Sequence, residues 1–405
     1  MTQRRPSSPA PASPRRRTVI ATLAASGLLG ASGRALAAGE PIKIGLVATL
    51  SGTSALSGEA ITRGLGVAID EINAAGGLLG GRMIELVRRD DEGNPAKGTT
   101  AARELIHREN VVALFGGIET PVAMALVPMI NQEKIPFMNP WAAGTGITRN
   151  GAENNFAFRV SAVDELVDKG MLKHAQAAFK TTKPGMILIN NPWGESNEKG
   201  LTAAFTAAGI KAVGIEKYES TDVDIVPQLS RLKNAGADTL FLVGNVGPAS
   251  QVIRSLERMG WKPSIVSHWG VAGGRFNELG GPLATDVHFV QTYSFYGKQG
   301  PVGQKVIQKL MAKYPEIKGP ENITPAVGVA NAYDGMQLLA LAIAKAGSTD
   351  GDAIRRGFYA IDKYDGLIKS YSKPFAPGSH DALNENDYVW ARFIDNKIVP
   401  VTLAA

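Results

Sequence analysis

The sequence predicts an α/β protein with mainly parallel sheets, and three observations lead to this prediction. Short apolar runs alternate along the chain with segments whose apolar residues recur every three or four positions. Most of the short runs are apolar on both faces, which is typical of strands buried inside a parallel sheet. The chain has too many predicted strands for one compact sheet, and the alternation of strands and helices is interrupted at residues 156–160. We therefore expect two similar lobes.

The first strand, loop and helix are predicted within residues 42–77. The apolar run at 42–50 is the strand, and apolar spacings of three and four over 61–72 predict a helix that Gly76 and Gly77 end. The loop between them, residues 51–58, is rich in hydroxyls and glycine and leads into a helix N-terminus. Such a loop can bind a polar or anionic ligand, but helix capping and tight turning require the same residue types.

Later segments repeat this plan. Pro95 is placed to open the second helix, and residues 388–401 are expected to form a hairpin around Asp395 and Asn396. The remaining strands are predicted at residues 83–87, 111–115, 135–138, 186–190, 213–215, 239–243 and 264–266. The remaining helices are predicted around residues 122–130, 201–205, 252–256 and 327–346.

Residues 1–37 are expected to be an export signal. They contain six arginines and no lysine or acid, so the rest of the chain has 37 basic and 37 acidic residues and offers no basic surface for nucleic acid. Residues 19–33 are weakly apolar and too short to span a bilayer. Ala35-Leu36-Ala37 fits a signal peptidase site, which places the mature start at Ala38 and the product in the periplasm. Arg16-Arg17 favours twin-arginine over general secretory export.

The composition also limits the chemistry of the chain. The absence of cysteine excludes disulfides, a lipid-modified cysteine and thiolate metal sites, and no later stretch is expected to be long and apolar enough to span a bilayer. The five histidines lack metal-ligand spacing. His380 and Asp381 could form two thirds of a nucleophilic triad, but no serine occupies a Gly-x-Ser-x-Gly elbow. Asp90 and Asp91 fit a strand-end or capping role better than an acid–base pair. We therefore expect no enzyme activity, metal or cofactor.

Short blocks throughout the mature chain resemble the solute-binding proteins of branched-chain amino-acid ABC transporters. The blocks are IKIGL at 42–46, LSG at 50–52, EINAAGG at 71–77, GR at 81–82, DD at 90–91, FGG at 115–117, IPFMNP at 135–140, WG at 193–194, LFLVG at 240–244 and AYD at 332–334.

The resemblance implies the type I periplasmic-binding fold. In this fold two lobes with doubly wound parallel sheets are joined by a three-segment hinge and close on a solute in the cleft between them. The resemblance also implies a monomer that delivers its ligand to the permease subunits of an ABC importer. The expected boundaries are 38–161 plus about 293–370 for lobe 1, and about 162–292 plus 371–405 for lobe 2.

The same resemblance carries a ligand pocket onto eight positions of this sequence. The first-lobe positions are Ser57, Thr120, Trp141, Ala142 and Ala143, and the second-lobe positions are Trp193, Val246 and Trp269.

Four of the eight positions depart from an amino-acid-specific member. Such a member has an acidic partner for the ligand's ammonium where Trp269 stands, a threonine where Ala143 stands, and tyrosines where Trp193 and Val246 stand. Thr145, two residues after Ala143, could supply the missing hydroxyl. Because a buried ammonium without a partner is costly, the loss of the acid argues against a simple leucine-type ligand.

Two neighbouring residues leave alternatives open. Glu119 could restore the anionic partner or could cap the following helix. His268 could assist an anion or be exposed to solvent.

The tryptophans at pocket positions favour a ligand with an apolar or aromatic group, although tryptophan is also a common core residue. A flat aromatic acid could stack between indoles with its carboxylate on Ser57 and Thr120, and a quaternary ammonium could make cation–π contacts. The retained hydroxyls favour the acid. A ligand-sensing module for a membrane receptor and an exported enzyme are the alternative functions.

Overall fold

The computed structural model describes residues 39–402. The predicted export signal, its cleavage site and the mature start at Ala38 lie outside the described residues.

The first sheet consists of five parallel strands in the order β2-β1-β3-β4-β5. These strands are β1 Ile42–Ala48, β2 Ile84–Asp90, β3 Ala113–Gly116, β4 Phe137–Asn139 and β5 Ala157–Arg159. The helices between them are α1 Ala55–Ala74, α2 Pro95–His107 and α3 Thr120–Gln132. Every residue of β1 except Lys43 is buried, as expected for an inner strand that is covered on both faces.

Local sequence explains where these helices begin and end. The apolar residues of α1 face the core, and the chain leaves the helix through Gly76 and Gly77 at φ of 101° and 72°, a conformation that favours glycine. Helix α2 begins with Pro95, and the side-chain oxygen of Asn94 accepts hydrogen bonds from the amides of Ala96 and Lys97. The predicted order of strand, loop and helix and the predicted start of α2 are therefore confirmed, but α1 begins at Ala55, inside the predicted loop of residues 51–58.

The second sheet has seven strands in the order β14-β13-β10-β9-β8-β6-β7. Its parallel strands are β6 Pro184–Ile189, β7 Gly214–Tyr218, β8 Thr239–Val243, β9 Ser264–Ser267 and β10 Val287–Gln291. Its helices are α4 Asp164–Phe179, α5 Pro192–Ala207, α6 Val226–Asn234, α7 Val246–Arg258 and α8 Phe276–Gly280. Two mainly parallel sheets with intervening helices confirm the predicted α/β class.

The predicted C-terminal hairpin is also confirmed. Strands β13 Val389–Ile394 and β14 Lys397–Pro400 pair antiparallel, and β13 pairs antiparallel with β10 at the edge of the second sheet. The turn residues Asp395 and Asn396 both have positive φ, at 48° and 64°, which suits a two-residue hairpin loop.

Three late helices complete the cover of the first sheet: α9 Pro301–Lys313, α10 Ala326–Ala346 and α11 Gly351–Tyr359. Helix α10 packs on α1 and α11, and α9 packs on α1. By length and composition α10 could cross a membrane, so the expectation that no such segment follows the leader was wrong. Because 89% of its most apolar stretch is buried inside the protein, α10 is a core helix.

The chain after α11 stays close to the first sheet. Strands β11 Lys363–Asp365 and β12 Ser370–Ser372 form a small hairpin, which the buried Asp334 of α10 anchors by accepting bonds from the Leu367 amide at 2.7 Å and the Tyr371 hydroxyl at 2.8 Å. The lobe boundaries remain a prediction, but these contacts favour a crossing to the second sheet later than residue 371.

Candidate functional site

Loops that follow strands of the two sheets meet in one region, which we call the cleft. The Ser57 hydroxyl, in the first turn of α1, donates a hydrogen bond to the Gly273 carbonyl, after β9, at 3.0 Å. The Trp141 ring, after β4, lies 5.6 Å from the Trp269 ring, measured between centroids. The carboxyl ends of parallel strands are where α/β sheets bind ligands, and here two such edges face each other.

The segment Trp269–Gly273 lies at the centre of the cleft. A Cβ atom at Gly270 would lie 2.5 Å from the Gly244 carbonyl oxygen and 2.7 Å from the Trp193 ring. A Cβ atom at Gly273 would lie 2.5 Å from the Ser57 hydroxyl. Because glycine has no Cβ atom, residues 270 and 273 can lie directly against Gly244, Trp193 and Ser57.

Five of the eight predicted residues gather around this segment. Each of them is at most 4% exposed. They are Ser57, Trp141, Trp193, Val246 and Trp269. The structure thus brings these side chains together from distant parts of the chain, and their role in binding a ligand stays a prediction.

Of the other three predicted residues, Ala142 and Ala143 lie in the loop after β4, and Thr120 begins α3. The Thr120 hydroxyl accepts from the Gly144 amide at 3.3 Å, the Ala142 amide donates to the Gly117 carbonyl at 3.1 Å, and the Ala143 carbonyl accepts from the Asp164 amide at 2.9 Å. These bonds fix the loop that follows β4.

The contacts of Thr145 favour a structural role, and its replacement of the hydroxyl missing at Ala143 stays a prediction. Its own hydroxyl accepts from the Glu165 amide at 3.2 Å, and its amide donates to Ser196 at 3.3 Å. Both contacts tie the start of α4 and α5 to this loop.

One buried carboxylate lies against Trp193 and against His268, the residue before Trp269. Asp164 Oδ1 accepts from Trp193 Nε1 at 3.1 Å and lies 3.0 Å from His268 Nε2. His268 Nδ1 accepts a hydrogen bond from the Trp269 amide at 2.8 Å. His268 is fully buried, so the alternative that it is solvent-exposed was wrong.

A buried arginine supports the loop that carries Trp141. Arg159 donates to the Gly144 carbonyl at 2.9 Å and to Asp381 Oδ1 at 2.7 Å. Burial alone would raise the pKa of Asp381, but the charge and hydrogen bonds of Arg159 hold that pKa below its usual value. His380 bonds the Ala157 carbonyl and the Tyr359 hydroxyl, each at 2.8 Å, so these contacts give His380 and Asp381 structural roles.

Asp90 and Asp91 shape the loops beside the cleft. Asp90 accepts from the Leu50 amide at 2.9 Å, and Asp91, fully buried, accepts from the Thr49 hydroxyl at 2.7 Å and the Gly93 amide at 2.8 Å. These bonds favour the predicted strand-end role of Asp90 and Asp91 over an acid–base role.

A cavity of about 370 Å³ opens at the cleft. Its wall includes residues 51–54, Glu92, Glu119, Asn191, Trp193, Ser220 and Asn245. Trp193 is the one predicted site residue in this wall. Glu92 and Glu119 are the charged residues among the described lining, which holds no lysine, arginine or histidine.

Three helices begin at this cavity. Glu119 directly precedes α3, Asn191 precedes α5, and Asn245 precedes α7. Because a helix N-terminus carries partial positive charge and unpaired amides, their convergence favours a ligand with a carboxylate or another polar acceptor. Sequence periodicity had identified these helices but not their common meeting point.

Glu119 bridges the two sides of the cleft. Its carboxylate accepts from the Ser54 hydroxyl at 3.3 Å and from the side-chain amide of Asn245. Its side chain makes no capping bond to α3, so the capping alternative was wrong. The pKa of Glu119 is raised to about 7, mainly by burial and to a smaller extent by the charge of the nearby Asp91 carboxylate.

Residues 39–402 contain no group of three or more His, Cys, Asp or Glu side chains placed to hold a metal ion.

The chain matches a protein-family model and is similar to known solute-binding proteins. A family model described as "Periplasmic binding protein" matches residues 41–387. The chain is 27% identical over 321 residues to the "Leu/Ile/Val-binding protein homolog 3" of Brucella melitensis biotype 1, covering 79% of this chain and 83% of that protein.

Two solved structures share the fold. The branched-chain amino acid transporter substrate binding protein LivJ from Streptococcus pneumoniae, in complex with isoleucine, superposes with a TM-score of 0.75 at 22% identity, covering 89% of this chain and 99% of that one. An ABC transporter solute binding protein from R. palustris, in complex with 4-hydroxybenzoate, gives the same TM-score and identity, covering 89% of this chain and 95% of that one.

Proposed function

We infer the function from the premise that this chain belongs to the periplasmic binding protein family, and within it to the Leu/Ile/Val-binding type with the type I periplasmic-binding fold. We propose that it captures a small carboxylate or amino-acid-like solute in the cleft and delivers that solute to an ABC importer of the branched-chain amino-acid class. One observation carries the proposal: three helix N-termini and a hydroxyl-rich loop converge on a cavity between the carboxyl ends of two sheets.

The chemistry of the cavity supports a solute with one polar end and one apolar end. Backbone amides at the helix N-termini and the hydroxyls of residues 51–54 suit a carboxylate. The Trp193 ring supplies an apolar wall. The ligands of the two structural neighbours, isoleucine and 4-hydroxybenzoate, both combine these features. An aromatic acid and an amino acid are therefore the two cargo classes that we propose.

Closure provides the signal that a permease could recognise. A solute that contacts both sides of the cleft stabilises the closed arrangement by its differential affinity for that arrangement. The contacts of Ser57 with Gly273 and of Trp141 with Trp269 support the proposal that these surfaces meet when the cleft closes. Delivery to a permease, a periplasmic location and a monomeric state belong to this proposal.

A thermal-shift series on residues 38–405 tests the proposal. The series compares leucine, phenylalanine, benzoate, 4-hydroxybenzoate and the quaternary ammonium glycine betaine at saturating concentration. A ligand at a hundred times its dissociation constant adds about 2.7 kcal/mol of stability, which raises the melting temperature measurably. We expect at least one carboxylate to stabilise the protein without being consumed. Stabilisation by none of them, or turnover of any of them, would contradict the proposal.

A further inference from the structure

We propose that Glu119 recognises a cationic group of the solute, so that the cargo is an amino acid or an amine-bearing acid and not a simple carboxylate. This inference rests on the proposed solute-binding function and specifies which of its two cargo classes the cleft selects.

The first argument is position. Glu119 lies in the cavity wall, half-buried, and two hydrogen bonds fix its carboxylate: one from Ser54 beside it and one from Asn245 across the cleft. A carboxylate has about four acceptor directions, so about two remain for a ligand. A solute ammonium placed there would complete the coordination of the carboxylate.

The second argument is charge. Glu92 is exposed and pairs with Lys97 at 2.6 Å, whereas the described contacts of Glu119 are to neutral donors. The buried Asp91 carboxylate lies close enough to raise the pKa of Glu119. A ligand with only a negative charge would add repulsion to this acidic wall, whereas an ammonium would neutralise it.

The third argument is that Glu119 joins the two sides of the cleft. The bond between Glu119 and Asn245 joins residues 126 positions apart in the chain, from the loops that follow strands of different sheets. Recognition at Glu119 therefore depends on the closed arrangement. The acid that the resemblance places at position 269 is tryptophan here, and Glu119 supplies a carboxylate from the opposite side of the same cleft.

Matched ligand pairs test this inference by calorimetry on residues 38–405 at pH 7. Leucine is compared with 4-methylpentanoate, and phenylalanine with 3-phenylpropanoate, because each pair differs only by the ammonium. We expect the ammonium-bearing member of the better-bound pair to bind at least tenfold more tightly. Glu119→Gln should remove most of that preference. The control Glu92→Gln changes the same chemical group in the same wall and should preserve the preference.

Proton release gives a second readout. Because an ammonium lowers the pKa of a neighbouring carboxyl, binding of the amino acid should release protons at pH 7, measured from the binding enthalpy in two buffers of different ionisation enthalpy. Asp91 and Glu92 are the other carboxyl groups that face this region. Release that persists in Glu119→Gln would assign the titration to one of them and would count against the inference.

The two proposals fail in different ways. If the des-amino acids bind as tightly as the amino acids, or if Glu119→Gln keeps the preference, the role of Glu119 is overturned while solute binding stands. If none of the four compounds binds but benzoate or 4-hydroxybenzoate does, the role of Glu119 is overturned and solute binding stands. If no carboxylate of either series binds, both proposals are overturned.

Discussion

Substitution of Gly273 by alanine should block closure of the cleft. The new methyl carbon would lie 2.5 Å from the Ser57 hydroxyl and 3.6 Å from the Trp141 ring. Gly273 does not have positive φ, so alanine introduces no backbone strain and acts through this cross-cleft contact. Overpacking of this kind costs about 1–3 kcal/mol. If that cost falls on the closed state alone, the population of the closed state drops about 5- to 150-fold.

The measurement is the dissociation constant of the tightest ligand from the thermal-shift series. We expect it to rise by the same factor, because only the closed fraction binds fully. Ser57→Ala removes the hydroxyl and should cost about 0.5–1.5 kcal/mol for the lost hydrogen bond. The double variant Ser57→Ala/Gly273→Ala relieves the contact and should bind more tightly than Gly273→Ala alone. Wild-type affinity in Gly273→Ala, or no recovery in the double variant, would refute this reasoning.

Three further substitutions test other parts of the structure. Trp269→Ala should weaken binding of the same ligand more than tenfold, about 1.4 kcal/mol, by calorimetry; unchanged affinity would remove Trp269 from the site. Asp381→Ala leaves the buried Arg159 unpaired and should cost about 3–5 kcal/mol in denaturant unfolding, whereas a loss under 1 kcal/mol would contradict the assigned pairing. Burial is the larger cause, and the charge of His288 the smaller, of a pKa of His174 lowered from 6.5 to about 4. Between these two pH values the unfolded state therefore binds more protons than the folded state. The free energy of unfolding should fall by up to about 3 kcal/mol as the pH falls from 6.5 to 4. His174→Phe should flatten that dependence, and an unaltered profile would exclude His174 as its source.

The elements that the sequence predicted well are those whose burial is mainly apolar, although α10 also buries Asn331 and Asp334. Strand β8 Thr239–Val243 and helix α10 Ala326–Ala346 have strong patterns because nearly all their side chains pack against other apolar groups. Helix α4 Asp164–Phe179 was missed because Asp164, Asp168 and His174 occupy buried positions on it and weaken the apolar periodicity. Strand β5 was missed because it has three residues and ends in the buried Arg159.

The contents of the cleft could be predicted only in part. Ser57 and Trp193 were placed in the cleft by the family resemblance, and they lie in the first turns of α1 and α5, on the side where parallel sheets bind ligands. Pairings across the cleft could not be predicted, since Ser57 and Gly273 lie 216 residues apart and no local pattern encodes their contact. The hydrogen bond that Trp193 donates to Asp164 likewise depends on how α4 and α5 pack together, which no local sequence pattern predicts.

A crystal structure of residues 38–405 with the tightest ligand of the series tests the central claim most directly. We predict that the ligand lies in the cleft, with its carboxylate at the N-termini of α3, α5 or α7 and with contacts to residues from both sheets. A ligand bound elsewhere, for example in the groove formed by residues 148–155 and 377–384, would contradict the claim that the cleft is the binding site.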